Sequence, residues 1–159
     1  MNPSSTLRAL AAPAQRITQV LEALQPLALL AARLYVAKVF FYSGLTKLRD
    51  WDTTLALFMD EYHVPLLPPM LAALLGTAAE VLLPVLLAVG LATRFGAFGL
   101  FFVNAVAVIA LPEITDAALQ QHLFWGSLLV GLVLWGPGRW SADHWLVQRW
   151  CGGAAAAPR

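Results

Sequence analysis

MLAALLGTAAEVLLPVLLAVGLA, residues 70–92, is an uncharged run interrupted by one acid, Glu80. At 1.5 Å per residue the run is long enough to cross the roughly 30 Å hydrocarbon core of a bilayer as a helix. From 82 to 91 it is apolar on every face, which excludes a barrel strand with its alternating pattern. Glu80 lies ten positions after Met70, so a spanning helix places its carboxylate about 15 Å from water. A carboxylate at that depth is paired, protonated or facing a wet cavity.

Three further apolar stretches, 26–45, 95–112 and 119–135, have lengths suited to the same purpose. With 60% hydrophobic and 12% charged residues, and a mean hydropathy of +0.71, the chain is too apolar for a soluble globular domain. The expected fold is all-α: an integral membrane four-helix bundle with short amphipathic interfacial helices and no separate soluble catalytic module. We divide it into a cytoplasmic amphipathic N-terminal segment, 1–25, the bundle, 26–136, and a cytoplasmic interfacial helix with a mobile tail, 137–159. The first span is not a cleavable signal, because about twenty-five residues precede it and Arg33 and Lys38 interrupt it.

Basic residues set the expected orientation. Arg8, Arg16, Arg94, Arg139, Arg149 and Arg159 fall in the N-terminus, the second loop and the C-terminus, against Lys47 and Arg49 in the first loop. Both termini are therefore expected in the cytoplasm of a bacterial inner membrane. Net charge is +1, which argues against nucleic acid as a partner. The single cysteine, Cys151, excludes an intramolecular disulfide.

Two amphipathic helices are expected outside the spans. Leu10, Ala14, Ile17, Leu21 and Leu24 follow helical spacing before the first span, broken or started at Pro13. In the first loop Trp51, Leu55, Phe58 and Tyr62 do the same, ended by Pro65, Pro68 and Pro69.

Counting depth from Lys47 and Met70, as ends of the first two spans, puts Lys38 level with Glu80, with Asn104 and Ser127 in the same layer. Arg33 is about one and a half turns nearer the cytoplasm, within reach of Glu80. Arg33, Ala37, Gly44 and Lys47 share one helical face, whose small residues favour close packing. Arg33 is accordingly the expected partner of Glu80, with Lys38 second and Asn104 a neutral alternative. Pro84 has no amide hydrogen and leaves the Glu80 carbonyl without its helical donor. His63 and His122, near Asp60, Glu61, Glu113 and Asp116, form a candidate metal site, although no paired-histidine motif is present.

The same residues resemble the DoxX family of small bacterial membrane proteins. The resemblance is carried by Arg33 with Phe40-Phe41-x-x-Gly44-x-x-Lys47, then Glu80 with Leu83-Pro84 and Gly90-x-x-Thr93-Arg94. It continues through His122 to Trp125 and ends at Gly136-Pro137-Gly138-Arg139-x-Ser141-x-Asp143. What it implies is a four-helix bundle with cytoplasmic termini and an association with quinol oxidase, thiosulfate:quinone oxidoreductase or oxidative-stress systems. The expected function is a redox-associated, quinone-linked membrane subunit, not a complete enzyme alone. It would act with a protein partner or as a homo-oligomer among membrane lipids. Glu80 and Arg33 are the expected catalytic pair, and Lys38, Lys47, Asn104 and Trp125 the residues about a quinone-like or lipid-like ligand. The alternative is a non-enzymatic accessory or transport protein, in metal handling, with a transition metal ion at His63 and His122.

Overall fold

A computed structural model describes residues 3–151, with side chains from 15 to 150. The side chains of Leu10, Pro13 and Ala14, and the tail 152–159 read above as mobile, lie outside the described residues. Six helices follow one another: α1 (Pro3–Arg49), α2 (Trp51–Asp60), α3 (Pro69–Val89), α4 (Thr93–Ala110), α5 (Asp116–Trp135) and α6 (Ala142–Cys151). There is no strand among the described residues. Four of the helices, α1 and α3 to α5, are long and apolar enough to span a membrane.

The helix ends are written into the sequence. Asp50 caps α2 by accepting from the Thr53 amide. Pro69 opens α3, at the first-turn position where a missing amide costs nothing. Gly90 closes α3 in the left-handed region at φ 77°, a conformation that glycine adopts without a Cβ clash. The Thr115 hydroxyl accepts from the Ala118 amide to start α5.

In cross-section α1 packs on α3, α3 on α4 and α4 on α5, and a lighter α5 to α1 contact closes the ring. Val36, Ala37, Phe40, Leu87, Ala97, Leu100, Leu129 and Leu132 form the core between them. The closest crossing is α1 over α3 at Gly44, where an added Cβ would stand 2.8 Å from Val81 Cγ2 and 3.0 Å from the Glu80 carbonyl carbon.

Two features differ from the sequence reading. The N-terminal segment and the first span are one uninterrupted helix, α1, which runs through Pro13 and Pro26 to Arg49. Further, α2 docks on protein. Its Phe58 is buried against Ala72 and Ala73 of α3, with Trp51, Leu55, Tyr62 and Val64 around them.

The crossing gives a direct test. Gly44→Ala forces α1 and α3 apart and should lower stability in detergent by about 1–3 kcal/mol, read as a drop in the thermal midpoint. Gly76→Ala meets only the Phe58 ring at 3.9 Å and should leave the midpoint unchanged or higher.

Candidate functional site

Glu80 is 7% exposed, and its Oε2 is paired with the Lys47 ammonium. Lys47 also donates to Ser43 Oγ at 3.0 Å, one turn back on α1. The two charged side chains are 9% and 21% exposed, so each depends on the other for its solvation. Gly44 makes the pairing possible, since any side chain there would hold α1 away from the Glu80 backbone.

Above the pair sits α2. The Thr54 hydroxyl is shared between the Lys47 carbonyl at 3.1 Å and the Asp50 carbonyl at 2.9 Å, which fixes the turn from α1 into α2. Tyr62, just past α2, stacks edge-on to Phe58 with centroids 5.0 Å apart. Burial, and then the negative charges of Glu61 and Glu80, push its hydroxyl pKa up, so Tyr62 stays a proton donor at neutral pH. One turn before Glu80, Thr77 is 2% exposed and its hydroxyl has no hydrogen-bond partner. A groove of about 370 Å³ opens beside Phe58 and Tyr62, lined also by Met59, His63, Val64, Pro65, Leu67 and Pro69.

Arg33 is not the partner of Glu80. It is 1% exposed, but its Nη2 donates to the Trp140 carbonyl at 2.5 Å and its Nη1 lies against Gly90. That places Arg33 at the α6 end of the bundle, level with the α3–α4 turn. The reason is register. Glu80 is ten residues from Gly90, about 15 Å, and Lys47 fourteen from Arg33, about 21 Å. The difference is within the reach of a lysine side chain. The depth count differs because the end of α1 is not level with the start of α3: α2 packs on Ala72 and Ala73, beyond the end of α1.

The other polar residues also separate. Lys38 is exposed on α1 and makes no contact with Glu80. Asn104 pairs with His122: its Nδ2 donates to the His122 carbonyl at 3.0 Å, and its Oδ1 stands 2.8 Å from His122 Nδ1. Since the amide nitrogen is committed as donor, Nδ1 carries the ring proton. Gly126 keeps this contact open, as a Cβ there would lie 3.3 Å from Asn104 Nδ2. Trp125 packs edge-on to both His122 and Phe40. Ser127 is exposed and donates to its own helix at the Phe124 carbonyl. The expected single polar layer is thus two clusters, Lys47–Glu80 between α1 and α3 and Asn104–His122 between α4 and α5.

The metal reading is not met. No group of three or more His, Cys, Asp or Glu side chains comes together among the described residues. His122 is turned into the α4–α5 contact, and His63 is exposed with Nδ1 at 3.1 Å from the Glu61 carbonyl.

Sequence reasoning missed a second constellation. The Asp143 carboxylate accepts from the Ala92 and Thr93 amides at 2.7 and 2.9 Å, capping α4 from a distant part of the chain. Its own amide donates to the Gly90 carbonyl at 2.9 Å. Arg33, Gly90, Thr93, Trp140, Ser141 and Asp143 therefore meet at one end. The signal was present as the short motifs quoted above, whose joint location no single motif reveals.

The ion pair is tested by a double-mutant cycle. Glu80→Gln or Lys47→Met leaves one charge unmatched and should cost on the order of 3 kcal/mol. The two together should restore most of that loss in a thermal or denaturant melt. Combining Glu80→Gln with Arg33→Met should show no such recovery.

The profile of the DoxX family matches residues 28–112, which takes in Arg33, Gly44, Lys47 and Glu80. Inner membrane protein YphA of Escherichia coli (strain K12) is 30% identical over 132 residues, 77% of this chain and 92% of that protein. No solved structure matches. A bundle of four spanning helices, the family profile across more than half of the chain and a relative aligned over nearly its whole length agree, and the chain is a member of the DoxX family and a multi-pass inner-membrane protein.

Proposed function

We propose that the Lys47–Glu80 pair is the polar end of a binding site for a quinone-like molecule, and that the bundle acts as the membrane subunit of a redox system whose electrons come from a partner protein. The reading is supported by the buried Lys47–Glu80 pair together with a groove at the same α2 end, lined by apolar side chains, His63 and Tyr62, whose phenol feels the charge of Glu80. A quinone needs those features: an apolar slot for its ring and tail, donors for its carbonyl oxygens, and a group that exchanges protons. Lys47 and Tyr62 donate, and Glu80 accepts or delivers a proton. Reduction to the quinol takes two electrons, supplied by the partner, and two protons, for which Glu80 is the relay. The unpartnered Thr77 hydroxyl adds a further polar contact one turn along α3.

The groove lies at the α2 end, and the charge distribution supports that end as the periplasmic one. Lys47 is used inside the bundle and Arg33 sits at the other end, so Arg49 remains as the base beside α2. Arg94, Arg139 and Arg149 stay with the α6 end, in keeping with cytoplasmic termini. Reporter fusions check this orientation: a phosphatase fused in the loop near Asp60 should be active, and one fused after Arg159 inactive.

Protein purified in mild detergent from quinone-replete membranes, extracted with organic solvent and read by its ultraviolet spectrum before and after borohydride, should yield quinone. Glu80→Gln and Lys47→Met should abolish that yield while Asn104→Ala leaves it. Wild-type protein that is folded yet carries no quinone, and takes up none when it is added, overturns the reading.

A further inference from the structure

At the α6 end a groove of about 390 Å³ runs between α1 and the segment that follows the last span. Glu22, Gln25 and Leu29 of α1 form one wall, Trp135 and Arg139 come from the end of α5 and its exit, and Val147 comes from α6. The volume falls in the range of about 300–1,000 Å³ found for small-molecule sites. Lys47 and Glu80 lie toward the other end of the bundle, so the occupant of this groove is independent of the quinone reading.

The groove carries charges of both signs that the fold leaves unused. Asp143 and His144 also border it, but Asp143 is committed to the Ala92 and Thr93 amides and the His144 ring to Gln148 at 3.0 Å. Glu22 and Arg139 form no hydrogen bond or ion pair with any described residue, one another included. An acid and a base that line one groove without closing on each other suit a ligand that carries both complements. Gln25, one turn from Glu22 on the same wall, adds an amide that can donate or accept.

The two charges are also ordered by depth. Gly136 lies against Arg94 in the first turn of α4, which puts Trp135, the last residue of α5, at the level of the α3–α4 turn. Trp135 is 66% exposed there, at the membrane surface where tryptophan anchors. Gly138 packs on Leu29, where a Cβ would stand 3.2 Å from Leu29 Cδ1, so Arg139 leaves the chain near the level of Leu29, one turn outside Arg33. Glu22 is seven residues further along α1, about 10 Å farther out. Outward from the hydrocarbon the groove therefore offers apolar surface, then a positive charge, then a negative one. A zwitterionic phospholipid presents the complements in that order: acyl chains, phosphate, ammonium.

We propose that this groove binds the head of a phospholipid that ends in a primary ammonium, a phosphoethanolamine head, with the phosphate on Arg139 and the ammonium on Glu22. A guanidinium meets phosphate oxygens with paired N–H donors, and a primary ammonium gives a carboxylate charge-assisted hydrogen bonds. A choline head has no N–H to donate. A glycerol head leaves the ligand with a net negative charge facing Glu22, so both competitors are disfavoured. The source is a lipid and not a soluble zwitterion, because Leu29, Trp135 and Val147 give the groove apolar surface that a free head would leave uncovered.

The test uses the full chain, stripped of lipid by detergent exchange, and native mass spectrometry. Phosphatidylethanolamine, phosphatidylcholine and phosphatidylglycerol with identical acyl chains are offered together at equal concentration. The wild type should retain phosphatidylethanolamine several-fold above the other two. Glu22→Gln should remove that preference, and Arg139→Gln should lower retention of phosphatidylethanolamine several-fold. Arg149→Gln, which changes a base of α6 outside the groove, should match the wild type. All three side chains are exposed, so the variants should keep the wild-type thermal midpoint in lipid-free detergent. Equal retention of the three lipids, a preference for phosphatidylglycerol, a preference that survives Glu22→Gln, or a loss in Arg149→Gln equal to that in Arg139→Gln overturns the proposal. Glycerophosphoethanolamine, the head without its chains, should not displace the lipid at equal concentration. Displacement would assign the groove to a soluble zwitterion and overturn the lipid reading.

Discussion

A charge at the centre of a bilayer costs about 2.5–3.5 kcal/mol on insertion scales, and α1 and α3 each carry one that they neutralise against the other. Lys47 and Glu80 meet only if the two helix backbones approach closely, and the approach is limited by the residue between them. Gly44 removes that limit: the Glu80 carbonyl carbon would lie 3.0 Å from a Cβ at position 44. The α1–α3 crossing, the depth of α1 in the membrane and the level at which α2 begins all follow from this contact. Once Lys47 is held at the height of Glu80, the segment 51–60 has to cover the upper half of α3, and it does so with Thr54 and Phe58 buried.

The opposite end is held differently. There Asp143 supplies the negative charge that the amino end of α4 attracts, and Arg33 donates to the segment that carries Asp143 into place. Gly90 has to be glycine for two reasons, its φ of 77° and the Arg33 Nη1 and Ser141 atoms that fill the position of a Cβ. Residues separated by more than a hundred positions thus depend on one another, and a change at 90, 93 or 143 is felt by the first span through Arg33.

This division explains which parts of the molecule were legible in its sequence. The number of spans follows from hydropathy, because only helices satisfy their backbone in hydrocarbon, whereas the start of the first does not, since α1 runs unbroken through Pro26. The shared face of Ala37, Gly44 and Lys47 follows from helical phase. Depth did not follow: an apolar run interrupted by Arg33, Lys38 and Lys47 has the same hydropathy whichever base is buried, whichever reaches the interface and whichever marks the end. The amphipathic spacing of Trp51, Leu55, Phe58 and Tyr62 correctly gave a helix, but spacing alone does not distinguish a lipid surface from Ala72 and Ala73 as its cover. Asn104 was placed in one layer with Ser127 and Glu80, and His122 with the loop carboxylates; their pairing with each other depends on Gly126, whose role appears only once α4 and α5 are in contact.

The two ends also differ in what each would lose by opening. Freeing the α6 end breaks the Arg33 bond to Trp140, both amide bonds to Asp143 and the Asp143 bond to Gly90 together, each worth on the order of 1 kcal/mol, and more where a charge takes part. It would also uncap α4 within the membrane boundary. The α2 end is held otherwise, by apolar contact through Phe58 and its neighbours, by Thr54 hydroxyl bonds within the α1–α2 turn and by the His63 amide, which donates to the Ala110 carbonyl at 2.8 Å. The two ends are therefore held by different means, a charge-capped turn at α6 and a largely apolar contact at α2, and the Lys47–Glu80 pair belongs to the α2 side.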